Sequence, residues 1–225
     1  MTGIEAFMRH LRGVAVILML AAAVACATKP VVPPATTGPK YPDFAYPAPP
    51  DRVGDERTRA RHERAWQLLQ IGDLRTADRE LAELLGKAPA FYPGAVALGY
   101  VLVAEGKPKE ALSRFDQATR LAPTYAPALA GRGEALLAAG QRDEALLSFE
   151  AALAADARLT DLKGRIDVLR FNRVRDLVAA AKRATDAGHL DEARQAYESA
   201  LASSPDSAFL YRDLGIAELK LNDAS

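Results

Sequence analysis

Few side chains of this 225-residue chain are placed for bond-making chemistry. Its histidines, His10, His62 and His189, share no metal-ligand spacing. No HExxH, glycine-rich phosphate loop or G-x-S-x-G elbow is present. Glu63, Glu134, Asp143 and Glu144 fall on helical stretches or caps, where a carboxylate is ordinarily solvated. Cys26 is the single cysteine, which excludes an intramolecular disulfide and any cysteine pair for a metal. These residues predict no catalytic, cofactor or metal site and no small-molecule substrate. What they leave is helical patterning: Arg59, His62, Trp66 and Leu69 follow one side of a helical stretch, with Val96, Leu98 and Tyr100 in the next.

The elements that position them recur. Gly106, Ala111, Phe115, Ala118 and Pro123 form a pattern of turn, helical spacing and helix-ending proline. It stands earlier as Gly72, Ala77, Leu81, Leu84 and Pro89, and later as Gly140, Ala145, Phe149 and Ala152, then Gly188, Ala193, Tyr197, Ala200 and Pro205. Ala77 to Ala111 and Ala111 to Ala145 are each 34 positions, as are Pro93 to Pro127. A fixed period of this length marks a helical hairpin that buries its apolar face only by stacking on its neighbours.

This pattern resembles the tetratricopeptide repeat. Leu98-Gly99 and Leu214-Gly215 match the family's first-helix pair; Ala111-Phe115-Ala118-Pro123 and Ala193-Tyr197-Ala200-Pro205 match its second helix. Departures are Ala65 and Ala181 for the glycine, Ala157 for the proline and Leu81 for the aromatic. The resemblance covers roughly Thr58 to Asp223 and implies an all-α, right-handed α-solenoid of stacked helical hairpins. Repeats are expected at about 58–91, 92–125, 126–159 and 174–207, with a partial one at 208–225. Family geometry turns the first helix of each hairpin toward a groove. That places Arg59, His62, Trp66 and Leu69 there, then Val96, Tyr100 and Val103, then Ala130, Glu134 and Leu137, then Arg175, Val178 and Lys182. The Lys/Asn clamp that some members carry for a terminal carboxylate is absent, Val96 and Tyr100 standing in its place. An apolar, aromatic floor suits an apolar peptide or amphipathic helix of a protein partner. The alternative is that Trp66 and Tyr100 belong to the core or are covered by the preceding segment.

Ala145 to Ala193 is 48 positions, so fourteen residues are added, an inserted helical stretch at 160–173. Leu162, Ile166 and Leu169, then Val174, Leu177, Val178 and Ala181, predict one long helix from Asp161 to Asp186, about 40 Å at 1.5 Å per residue. Thr160 is its expected N-cap. This helix either protrudes by about four turns as a docking ledge or dimer surface, or packs back on the third hairpin. A last first-helix is expected over 207–221, followed by a turn at Asn222-Asp223.

Arg9, His10 and Arg12 precede an apolar run from Val14 to Val24, too short to span a bilayer and suited to a signal-peptide core over 1–25. Ala23-Val24-Ala25-Cys26 resembles the bacterial lipoprotein box, which implies a lipidated Cys26 and a membrane anchor; Ala27 after it implies sorting to the periplasmic face of the outer membrane. Ala23-Val24-Ala25 also reads as an ordinary cleavage site that releases a soluble periplasmic protein. Eight prolines within 26–56 predict a disordered, extended tether. Tyr41, Phe44 and Tyr46 in it are either scattered aromatics or a docking element for the first repeat or a partner.

Lysine plus arginine equals aspartate plus glutamate at 29 each, so no net field draws the chain to nucleic acid. No stretch alternates with period two, so no sheet is expected. Two functions fit: a membrane-anchored, non-catalytic scaffold of the cell envelope, in settings such as outer-membrane, pilus or secretin assembly, or the anchoring and oligomerising part of a longer protein.

Overall fold

A computed structural model describes residues 38–223. The predicted signal segment and Cys26 lie outside the described residues.

From Glu56 onward the architecture is helical, and the described residues hold no strand. In order the helices are α1 (Glu56–Ile71), α2 (Leu74–Lys87), α3 (Tyr92–Ala104), α4 (Pro108–Leu121), α5 (Ala126–Ala138), α6 (Arg142–Ala155), α7 (Asp161–Asp186), α8 (Leu190–Ser203) and α9 (Ala208–Asp223). They pair as the hairpins α1/α2, α3/α4, α5/α6 and α7/α8, with α9 packed on α8. Local signals set these bounds. Asp55 and Asp73 accept hydrogen bonds from the Thr58 and Thr76 amides at 2.7 and 3.2 Å, capping α1 and α2. Prolines enter the first turns of α3, α4 and α5, where a missing N–H leaves no bond unmade. The turn inside the first hairpin closes on Gly72 at φ 85°, a left-handed position that disfavours any side chain.

Stacking works through a small-against-large device. Phe115 of α4 is fully buried, and its ring occupies the space that a side chain on α3 or α5 would need. A Cβ added at Gly99 would stand 2.7 Å from Phe115 Cε1, and one at Gly131 would stand closer still. Phe149 of α6 does the same against Gly133 at 2.6 Å. The missing side chains let helix backbones approach while the ring fills the seam.

The long helix α7 does not stand out as a ledge. Its first half buries Leu162, Ile166 and Leu169 with Ala130, Ala145 and Phe149 of the third hairpin. Its second half carries Val174, Leu177 and Val178 against Tyr197, Leu201 and Leu210. It therefore bridges two apolar clusters, because its stripe shifts near Phe171-Asn172 from one neighbour to the next. Arg165–Glu134 and Arg170–Glu150 ion pairs fasten it to α5 and α6. Thr160 holds the N-cap position, but its side chain makes no cap hydrogen bond: its backbone is already helical at φ −62°, ψ −26°. The last helix also differs from expectation, continuing through Asn222 where a turn was predicted.

Candidate functional site

Along the first helices, α1 and α3 contribute a floor of rings. His62, Trp66 and Leu69 lie on α1, Val96 and Tyr100 on α3, and all five are buried in the first apolar cluster or its edge. Trp66 meets the Tyr100 ring edge-on at 5.6 Å, and Tyr100 meets Phe115 in the same way at 5.3 Å. His62 lies 5.4 Å from Phe91.

What covers that floor is the chain itself, the alternative in which the preceding segment lies over Trp66 and Tyr100; over residues 39–54 this corrects the expectation of a disordered tether, whose earlier part lies outside the described residues. Residues 39–54 run back across α1 and α3. The Lys40 amide donates to the Gln70 carbonyl at 2.8 Å and the Tyr41 amide to Gln70 Oε1 at 3.3 Å. Phe44 stacks on Tyr100 at 4.6 Å with Tyr41 stacked behind it at 5.1 Å. Tyr46 lies over Trp66 and His62 at 5.5 and 5.7 Å. Pro47 is fully buried, and the Tyr125 hydroxyl donates to the Ala48 carbonyl at 2.9 Å. Proline denies this strap helix and ladder bonding but leaves three rings to stack, and aromatic burial outweighs the entropy of a free spacer.

Each predicted groove residue has a definite place. Arg59 is half-buried. Its guanidinium donates to the carbonyls of Pro50, Asp51, Val53 and Gly54, clamping the turn between strap and α1. Val103 and Leu137 are half-buried at the edges of two clusters. Glu134 is buried and bound by both terminal guanidinium nitrogens of Arg165. Lys182 is brought to none of these; it sits over Phe209 at 5.8 Å, beside the last cluster. Ala130 is buried, Val178 half-buried, and Arg175 is exposed beside Asp176. Tyr41, Phe44 and Tyr46, not among the predicted groove residues, join the site by docking on the first repeat, the second of the two readings their rings in a proline-rich stretch allowed.

Charge in the site is set by burial. Tyr100 is raised above the usual phenol range, first by desolvation and then by Glu134. Desolvation also raises the Glu134 carboxyl, opposed by Arg165 and assisted by Asp43. His62 is lowered to about 4 by burial, weakly opposed by the Pro93 backbone, although neither ring nitrogen makes a well-formed hydrogen bond. The unfolded chain thus takes up a proton near pH 6.5 and the folded chain only near 4. Stability is full above about 6.5 and falls by about 3 kcal/mol as pH drops to about 4. Urea midpoints across this range should slope for the wild type, and the His62→Leu variant should lose this part of the slope. Parallel slopes would remove His62 as the cause.

No group of three or more His, Cys, Asp or Glu side chains able to hold a metal occurs among the described residues. No described helix is long and apolar enough to cross a membrane.

Two family profiles, both described as tetratricopeptide repeat, match residues 102–166 and 178–225. No curated protein matches the chain. Among solved structures it is similar to TTC0263, a thermophilic tetratricopeptide repeat protein of Thermus thermophilus. Identity is 26% over 73% of this chain and 82% of that one, with a TM-score of 0.43. It is also similar to a tetratricopeptide repeat protein from Parabacteroides merdae at 18% identity, over 75% of each chain, TM-score 0.44. A third likeness is the first such domain of Spaghetti (RPAP3), solved bound to an HSP90 peptide. There identity is 17% over 53% of this chain and 95% of that one, TM-score 0.48.

Proposed function

Since the chain belongs to the tetratricopeptide repeat family, whose stacked hairpins serve as scaffolds for protein–protein interaction, we propose that it is a non-catalytic adaptor of the bacterial cell envelope. On this reading it is exported, lipidated at Cys26 and held at the periplasmic face of the outer membrane, and its first-helix groove receives a segment of a partner protein. The observation that supports groove binding is that the groove holds an extended peptide segment in this very chain, through ring stacking and a few backbone hydrogen bonds. Export and lipidation are supported by the residues preceding Cys26 and by its being the single cysteine.

Labelled palmitate fed to a bacterial host should enter the full-length protein, which should then sediment with outer membranes. The Cys26→Ser variant should incorporate no label and appear in the soluble periplasmic fraction. Equal fractionation of the two would overturn the anchor while leaving the repeats as a scaffold.

A further inference from the structure

The strap is held as a ligand is held, and it fits its site incompletely. Over residues 40–48 its backbone meets α1 through Gln70, and its grip comes from Tyr41, Phe44 and Tyr46 inserted among groove rings. On one flank it leaves His62, 0% exposed beneath Tyr46, with neither ring nitrogen in a well-formed hydrogen bond, a penalty that a buried imidazole ordinarily avoids. On the other flank a cavity of about 200 Å³ remains between Phe44 and Ala45 of the strap and Leu159, Leu162 and Arg165 at the start of α7. The contrast is with Phe115, which fills its seam with 0% exposure. Tyr46 stays 42% exposed, so the outer surface of the strap is open to solvent.

We propose that the groove is a binding site for an extended, proline-flanked aromatic segment supplied by another protein, and that residues 40–48 occupy it as a built-in competitor which that segment displaces. This rests on the scaffold reading above and names the chemistry of its partner: rings at the spacing of Tyr41, Phe44 and Tyr46, not a helix. The strap is joined to α1 by the short turn that Arg59 clamps, so it presents itself to the groove at an effective concentration on the order of mM. A free segment of equal intrinsic affinity is therefore excluded until the strap is weakened, or until the partner makes contacts the strap lacks, as at His62.

The test uses full-length protein and a fluorophore-labelled synthetic peptide of residues 39–50, followed by anisotropy, with the emission of Trp66, the single tryptophan, as second readout. The Phe44→Ala/Tyr46→Ala variant should bind the peptide at least about tenfold more tightly than the wild type, by removal of the intramolecular competitor. Its Trp66 emission should be red-shifted alone and return toward the wild-type position on saturation. Circular dichroism should show unchanged helicity, and Phe44→Ala alone serves if the double variant is less helical. Equal affinity for both proteins, or no binding to a fully helical variant, overturns the proposal. A null peptide result with palmitate labelling intact would sink this inference and leave the anchored scaffold standing; binding without labelling would do the reverse.

Discussion

Phe115→Ala should lower the stability of the array by about 3–5 kcal/mol, read as a fall in the urea midpoint followed by circular dichroism. The ring is fully buried, touches Tyr100 edge-on at 5.3 Å, and is seated against two glycines on different helices. Truncation leaves a void on the α3 and α5 sides at once. Neither backbone can close it without moving a whole hairpin, so the transfer loss and the cavity loss both apply. Because hairpins in such arrays are stabilised by their neighbours, the seam between the second and third should weaken most, and the transition should broaden as the array loses cooperativity. Tyr100 leans on Phe115 and supports Phe44 from below, so Trp66 emission should shift toward the red even before unfolding. A loss under about 1 kcal/mol would mean the seam collapses freely and that the glycine-and-ring device is not what holds the hairpins together.

A second large effect is expected at Arg165. Its guanidinium grips Glu134 through both terminal nitrogens, one at 2.8 Å, and lies over the Phe149 ring at 4.9 Å. Glu134 is 8% exposed, so removing its partner strands a carboxylate where water solvates it poorly. Arg165 itself keeps 29% side-chain exposure, which reduces the penalty; Arg165→Ala should cost about 2–4 kcal/mol at pH 7. Burial already raises the Glu134 carboxyl above its ordinary value and Arg165 opposes that rise. Without the arginine the folded-state value climbs further, so the folded variant takes up a proton at higher pH than the unfolded chain does. Its deficit against the wild type should thus shrink as pH falls toward the carboxylate range. Adding Glu134→Gln to Arg165→Ala should recover part of the loss at pH 7. A double variant no more stable than the single would place the loss in the Phe149 contact instead.

The strap changes what a partner meets. A groove of stacked hairpins read from first-helix positions alone is an open aromatic channel; with residues 39–54 in place, His62 and Tyr100 are fully covered, while Tyr46 keeps much of its ring in water. Regulation by release of the strap is a consequence of that arrangement, and the emission of Trp66, which lies against Tyr46, reports on it.

Repeat register and helix pairing were legible from the residues alone. Glycine after one helix, proline at the next, and Ala111, Phe115 and Ala118 at helical spacing act within single hairpins, and short-range rules suffice to read them. The wedge rings were legible too, since the 34-residue period assigns equivalent positions equivalent neighbours. Three features were decided only by the folded packing: which of its two readings the strap takes, the meeting of Arg165 with Glu134 31 positions away, and the division of the α7 stripe between two clusters. Proline-rich backbone, paired charges and a shifting apolar stripe have no local conformational signature of their destination. Their energies depend on which distant surface is desolvated when they arrive.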